Sequence, residues 1–327
     1  MEQRILGRTG RAVSTVGLGT WQLGGDWGTV EETDALAVLD AAVAAGVTIL
    51  DTADVYGDGR SEQVIGRFLA ANPNLDLTVA TKMGRRAPLD PVEYTLENFR
   101  TWTDRSRRNL GVDTLDLVQL HCPPAAVYSS DAVFDALDTL VAEQRVAAYG
   151  VSVETGEEAL TAIARPGTAS VQIILNAFRR KPLEAVLPRA AAANVGIVAR
   201  VPLASGLLSG KYRRDTQFGA DDHRTYNRHG EAFDVGETFS GVDYETGIDA
   251  AEEFSALVPD GVTPAQLALA WIIQQPGVST VIPGARNAEQ ARANAAAAAV
   301  APLSDPLLQQ IADIYDRRIR AGVHSRW

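Results

Sequence analysis

Four residues able to share a proton fall at or just after the ends of apolar, β-branched runs. Asp51 closes the run Val47–Leu50, and Tyr56 follows five residues on within DTADVYGDG. Lys82 closes Leu77–Thr81, and His121 closes Leu115–Leu120. A phenol ordinarily titrates near 10, a poor match for a proton donor at neutral pH. An ammonium held nearby by a carboxylate stabilises the phenolate and lowers that value. Asp51, Lys82 and Tyr56 therefore predict a proton-donating relay, and a neutral His121 predicts a hydrogen bond that orients a carbonyl oxygen. Donation to a developing alkoxide contributes about 10²–10⁴-fold in rate. The hydride such a reduction also needs comes from no side chain, so a nicotinamide is implied. Singly, each residue has an ordinary structural role: Asp51 as a helix cap, Tyr56 packed in a loop, Lys82 solvated, His121 satisfying backbone. Their joint placement argues for chemistry.

For these groups to meet, the runs that carry them must converge. Val16–Thr20, Val47–Leu50, Leu77–Thr81, Leu115–Leu120, Val146–Val151, Val171–Leu175, Val195–Val201 and Val278–Ile282 read as eight strands, each followed by helical sequence. Most are continuously apolar, as in a parallel sheet buried on both faces. Eight such units predict a single (β/α)₈ barrel domain over 1–327, with functional residues at the C-terminal ends of its strands. A doubly wound sheet is the alternative, but its glycine fingerprint is missing. Gly17-Leu18-Gly19 stops short, Gly57-Asp58-Gly59 follows a loop, and Gly206 to Lys211 is too short for a phosphate loop, with Tyr212 in place of Ser or Thr.

Local signals place some of the helices. Thr29 and Glu32 form a capping box for the first, with Leu36, Leu39 and Val43 on one face and Gly46 as its stop. The third opens at Asp90-Pro91, carries Leu96, Phe99 and Leu110, and ends at Gly111. The alanine-rich stretch 291–301 reads as the final barrel helix, ahead of a C-terminal helix. The polar, Gly-rich stretch 212–247 predicts a long loop after strand seven, either a lid over the catalytic face or a mobile surface loop. The tail after Ile319, with Arg320, His324, Arg326 and Trp327, either folds over the mouth or trails in solvent.

Composition bounds the function. With 46% hydrophobic, 22% charged and 6% aromatic residues in 327, the chain has ordinary globular make-up, without an apolar run long enough to span a bilayer. MEQRILGRTG lacks a signal-peptide core, so a cytoplasmic protein is expected. A net charge of -11 argues against broad binding to nucleic acid or anionic lipid. The single cysteine, Cys122, excludes an intramolecular disulfide, and the four histidines (His121, His223, His229, His324) have no metal-binding spacing, so no metal is expected. A Cys122–His121 dyad is disfavoured because adjacent strand residues face opposite ways.

The motifs together resemble the aldo-keto reductase family: GLGTW at 17–21, DTADVYGDGRSE at 51–62, ATKMG at 80–84, LVQLHCP at 117–123, GVSVE at 150–154, VQIILNAF at 171–178, PLASGLLSGKY at 202–212 and VIPGARNAEQARAN at 281–294. The resemblance implies NADPH-dependent reduction of an aldehyde or ketone, with NADP(H) preferred over NAD(H). It implies a catalytic tetrad of Asp51, Tyr56, Lys82 and His121, and a small carbonyl substrate held by Trp21, Tyr56 and His121. Trp27 and Phe178 are further candidates for an aromatic pocket. For the nicotinamide half it implies Thr20, Trp21, Asp51, Ser152, Gln172 and Arg200. Pro202, Leu203, Ser205, Gly206 and Lys211 would wrap the pyrophosphate, and Gly284, Arg286, Gln290 and Asn294 would hold the adenosine end. Two positions depart from the family: Val153 stands where many relatives have Asn, and Arg200 where an aromatic ring commonly stacks. A guanidinium plane can stack on the nicotinamide, but Arg200 would repel its oxidised, cationic form, weakening NADP⁺ relative to NADPH and favouring reduction. Two other readings are a cofactor-bound regulatory module like the potassium-channel β subunits, against which the retained His121 argues, and a sugar or alcohol dehydrogenase running oxidatively.

Overall fold

A computed structural model describes residues 1–25 and 31–327. All eight apolar runs form parallel strands: β1 (Leu18–Gly19), β2 (Ile49–Asp51), β3 (Thr78–Met83), β4 (Leu117–His121), β5 (Tyr149–Ser152), β6 (Thr168–Ile174), β7 (Gly196–Arg200) and β8 (Val278–Val281). Each pairs with the next in chain order. Parallel bridges from Val16 to Val281 and from Gly19 to Gly284 bring the first run against the last. The fold is the expected (β/α)₈ barrel. Around it lie α1 (Glu32–Ala44), α2 (Arg60–Ala71), α3 (Leu96–Leu110), α4 (Asp131–Ala142), α5 (Gly156–Ile163), α6 (Val186–Ala192), α7 (Tyr244–Ser255), α8 (Pro264–Ile273), α9 (Ala288–Ala295) and the C-terminal α10 (Asp305–Ile314). Among the described residues no helix is long and apolar enough to cross a membrane.

Helix boundaries differ from the sequence reading where two caps compete. Asp90 accepts from the Val92 amide, but it caps only a 3₁₀ turn, Pro91–Glu93. Tyr94 breaks that turn with ψ 65°, and α3 starts afresh with Thr95 accepting from the Asn98 amide. Helix α1 begins after Glu31, which makes no side-chain cap bond; the expected cap Thr29, like Trp27, lies outside the described residues. The alanine stretch divides into α9 and a 3₁₀ turn, Ala296–Ala299.

Strand alternation sorts side chains into two populations. Leu50, Val79, Met83, Val118, Leu120, Val151, Val171, Ile173, Ile197 and Ala199 join the large core between sheet and helices. Ile49, Ala80, Leu117 and Val198 instead form a separate apolar cluster within the barrel, with Leu6, Val13 and Ile282. The next inward positions are all polar: Asp51, Lys82, Gln119, His121, Ser152, Gln172 and Arg200, each buried. The interior is thus an apolar floor beneath a polar tier.

An N-terminal hairpin unrecognised in the sequence, Gln3–Ile5 against Ala12–Ser14, supplies Leu6 and Val13 to that floor. Its runs of three residues were too short to register as strands. Arg8 ties it down through the carbonyls of Arg165, Pro166, Thr168 and Ala193. Gly7 has φ +50°, and a Cβ there would lie 2.1 Å from the Gly196 nitrogen and 2.5 Å from the Ala169 oxygen. Gly10 has φ +68° with nothing within 4 Å of such a Cβ. Gly10→Ala should therefore lose about 1–2 kcal/mol from the left-handed backbone alone. Gly7→Ala should lose that and about 1–3 kcal/mol more from overpacking. Chemical denaturation of the two variants checks the order; equal losses would mean that the hairpin does not plug the barrel.

Candidate active site

The four proton-handling residues arrive at one mouth by register. Asp51 ends β2 opposite Ala80 of β3, Lys82 lies opposite Gln119 of β4, and His121 opposite Ser152 of β5. Tyr56 comes from the turn after β2, whose Gly57 has φ +57° and whose Cβ would lie 2.0 Å from the Gly24 oxygen. Only glycine admits that approach, and it holds the Tyr56 turn against the Trp21–Gly24 turn, with the Trp21 and Tyr56 rings stacked at 6.0 Å. Thr20 fixes the other side of β2, its Oγ1 donating to the Asp51 carbonyl at 2.8 Å.

Lys82 Nζ donates to Asp51 Oδ2 at 2.6 Å, the Thr52 carbonyl at 2.9 Å and the Tyr56 hydroxyl at 3.3 Å. Burial disfavours its charge, but Asp51 and then Tyr56 more than offset this and raise its pKa, so the ammonium stays charged. Tyr56 departs from expectation. Lys82 does pull its pKa down, yet burial, with the charges of Asp51 and Glu237, moves it above 10 overall. The phenol is therefore loaded with its proton across the neutral range. His121 stands edge-on to Tyr56 with ring centres 6.0 Å apart. Burial, then the charges of Arg85, Lys82 and Arg200, drives its pKa well below 6.5, so the imidazole is neutral.

A buried charge cluster beside this set was not foreseen. Arg85, just after the ATKMG motif, donates through Nε to the His121 carbonyl at 3.2 Å and pairs with Glu237 at 3.2 Å. Arg200 pairs with Glu154 at 2.8 Å and with Glu237 at 3.5 Å. Glu237 sits in the long loop, where one acidic residue among many carries no sequence signal. Two guanidiniums hold Glu237 ionised against the cost of burial; Glu154, buried beside that charge, is pushed upward. Cys122 Sγ and one oxygen of each carboxylate lie within 4.8 Å of one another, but Arg85 and Arg200 already answer the carboxylate charge. Arg200 thus meets its counter-charge in Glu154 and Glu237, which reduces the repulsion expected between it and a cationic nicotinamide.

Other expectations also meet the structure here. Cys122 has φ 49°, which breaks strand alternation, so its thiol turns inward and donates to Ser152 Oγ at 3.4 Å. Burial lifts its pKa to about 12, leaving no thiolate for a dyad. Phe178 is fully buried and packs against Phe254 of α7, away from the aromatic pocket assigned to it. The loop 212–247 is folded over the mouth: His223 and Phe233 meet Trp21 at 5.4 and 5.9 Å. The tail folds as well. Trp327 lies 3.8 Å from the Arg179 guanidinium and donates to Asp234 Oδ1 at 3.0 Å.

The residues expected along a cofactor lie on the ends of β5 to β7, the turn after β7 and the segment from Gly284 into α9. Gln172 donates to Asp51 Oδ1 at 2.7 Å and pairs in register with Ser152. Pro202, Leu203, Ser205, Gly206 and Lys211 lie on the turn after β7. Ser205 Oγ holds the loop by donating to the Glu237 carbonyl and accepting from the Phe239 amide. Beyond lies α9, where Gln290 in the first turn accepts from the Arg286 amide and Asn294 in the last turn donates to the Gly284 carbonyl. Asp222 and Arg224 of the loop bridge the two halves, with Asp222 4.0 Å from Arg286 and Arg224 3.4 Å from the Ser205 carbonyl.

The model of the aldo/keto reductase family matches residues 15–316. The chain belongs to this family. Among solved structures it is similar to a glycerol dehydrogenase from Gluconobacter oxydans (TM-score 0.77, 29% identity, 97% of this chain and 95% of that one). It is also similar to an aldo/keto reductase from Klebsiella pneumoniae solved with NADP and acetate (TM-score 0.71, 26% identity, 96% of each chain). A probable voltage-gated potassium channel subunit beta of Arabidopsis thaliana is 28% identical over 324 residues, 94% of each chain. As an aldo/keto reductase, the protein is an oxidoreductase.

The signature stretch that carries Asp51 and Tyr56 also contains Asp54, buried with no side-chain partner for its carboxylate among the described residues. Burial, followed by the charge of Glu62, lifts its pKa from 3.8 to about 7, against the pull of Arg86 and Arg105. The folded chain thus keeps a proton that the unfolded chain releases between about pH 4 and 7, and stability falls as pH rises through that window. The loss is about 4 kcal/mol in all at 1.36 kcal/mol per unit. Asp54→Asn should flatten this slope relative to wild type in urea melts from pH 4 to 8. Parallel curves would mean that Asp54 is ionised in the fold.

Proposed function

We propose that the protein reduces an aldehyde or ketone to an alcohol with NADPH as hydride donor and Tyr56 as general acid. The observation that carries this reading is the Tyr56 hydroxyl 3.3 Å from a buried, charged Lys82 and beside a neutral His121. NADPH supplies the hydride; the protein's residues supply the proton and the geometry. Tyr56 gives its proton to the carbonyl oxygen as negative charge builds there. Lys82, held by Asp51, answers the charge left on the phenolate, which is worth most in this dry setting. His121, kept neutral, donates a hydrogen bond that orients the carbonyl without competing for the proton.

The residues present fit the cofactor. Val201, Ala204 and Ser205 have φ of 52°, 47° and 53°, and Gly206 follows at 99°. These residues bend the backbone sharply after β7, where the Ala204, Gly206 and Leu208 amides donate to the Val201 and Leu203 carbonyls, so the exposed Lys211 beside the turn is the charge that would meet a pyrophosphate. Arg286, half exposed at the start of α9, suits a 2′-phosphate, which favours NADP(H) over NAD(H). Ser152, Gln172, Trp21 and Thr20 line the nicotinamide end.

Similarity to a glycerol dehydrogenase favours a second reading, oxidation of an alcohol, with Tyr56 taking the proton back. A regulatory role, the reading that the channel-subunit similarity brings, leaves the proton-handling set without a task. Mixing the protein with NADPH and a reactive aldehyde while following cofactor absorbance decides between catalysis and regulation, and turnover with NADP⁺ and alcohols tests the direction.

Tyr56→Phe should lower the rate of reduction by about 10²–10⁴-fold while leaving the Kd for NADPH nearly unchanged. Loss of both in fluorescence titration would make the phenol structural. Arg286→Ala should weaken NADPH by about 10-fold or more, the worth of one charged hydrogen bond, and leave NADH within twofold. Equal losses for both cofactors would remove the 2′-phosphate role.

A further inference from the structure

Away from the mouth, the outer face of the 212–247 loop and the C-terminal segment enclose a groove of about 690 Å³. That volume lies within the range of small-molecule sites. Its floor is apolar, with Val242, Ile319 and Val323, and its rim carries Arg228, Arg318 and Arg326. In a chain of net charge -11 this concentration of cations is unexpected.

The three guanidiniums differ in how their charge is met. Arg318 is paired with Glu253 at 2.6 Å. Arg228 and Arg326 have no carboxylate at ion-pair distance among the described residues. Arg228 rests over the Phe239 and Tyr244 rings, at 5.0 and 4.8 Å, and donates through Nε to the Arg224 carbonyl. Arg326 lies 4.3 Å from the Trp327 ring, with the Gly241 carbonyl 3.5 Å from Nη1. The one carboxylate on the rim, Asp243, is committed to capping α7 through the Thr246 amide and hydroxyl. Ring faces and single carbonyls hold these guanidiniums in place without neutralising them, which leaves two fixed donors facing a cavity.

We propose that this groove is a second ligand site, for a small organic anion that carries a carboxylate or phosphate on an apolar body. The anion spans Arg228 and Arg326, and its body covers the floor. The site is separate from the residues expected along a cofactor and independent of the reaction proposed above. One wall is the loop that delivers Glu237 to the mouth, and the other leads to Trp327, so an occupant would tie together the two segments that cover the barrel.

Calorimetric titration of phenyl phosphate, benzoate and inorganic phosphate into full-length protein saturated with NADPH tests the proposal. Phenyl phosphate or benzoate should bind saturably and more tightly than inorganic phosphate. Arg228→Met and Arg326→Met should each weaken binding about 10-fold or more while leaving NADPH affinity unchanged. Arg326 is exposed, so its variant keeps the test open if Arg228→Met fails to fold. Absence of saturable binding, or affinity unchanged by Arg326→Met, would overturn the proposal, the latter pointing to binding in the catalytic cleft.

Discussion

The contact on which the mouth depends is the ion pair between Lys82 and Asp51, at 2.6 Å with side-chain exposures of 1% and 4%. Neither charge can be reached by bulk water, and the cost of burying such a pair is recovered only when the remaining donors and acceptors are also satisfied. They are. Lys82 also reaches the Thr52 carbonyl and the Tyr56 hydroxyl, and Asp51 accepts from Gln172 on the far side of the barrel. A slip of one residue in β3 would point Lys82 outward into the helices, leaving Asp51 as a buried lone charge. The pair thus fixes the register of the strands that carry the chemistry.

That constraint explains the division of the barrel interior. Leu6, Val13, Ile49, Ala80, Leu117, Val198 and Ile282 form an apolar cluster in the lower barrel, and the strands also bury the hydroxyls of Ser170 and Thr280. The polar tier above is supported by a floor that does not compete for its hydrogen bonds. The same low dielectric keeps His121 neutral and Tyr56 protonated, so packing in the floor and protonation at the rim are two results of one arrangement.

The parts of the molecule legible in sequence are those that repeat. Apolar runs mark every barrel strand, and a polar residue at the close of a run marks the mouth, because inside a barrel only the last inward position borders solvent and substrate. Features that depend on a single contact were not legible. Glu237 comes from a loop with no period, and only the folded chain brings it to Arg85 and Arg200. Cys122 defeats alternation through one left-handed φ, and Phe178 lies four positions beyond the end of β6, where alternation no longer predicts direction. The sign of the Tyr56 shift needed burial as well as charge: the Lys82 ammonium acts as expected but is outweighed.

The cover over the mouth is fastened differently from the site beneath it. Glu237, Arg85 and Glu154 retain side-chain exposures of 12%, 21% and 14%, and the Trp327–Arg179 stack is made at the edge of the same cluster. Arg200, the other partner of Glu237, is drier at 9%, so the latch grades from partly hydrated to buried as it approaches the barrel. Lys82 and Asp51, at 1% and 4%, are drier than any of these. The cover is latched by partly hydrated charges above a dry pair, so the proton-handling geometry rests on the register of the barrel strands and not on the loop.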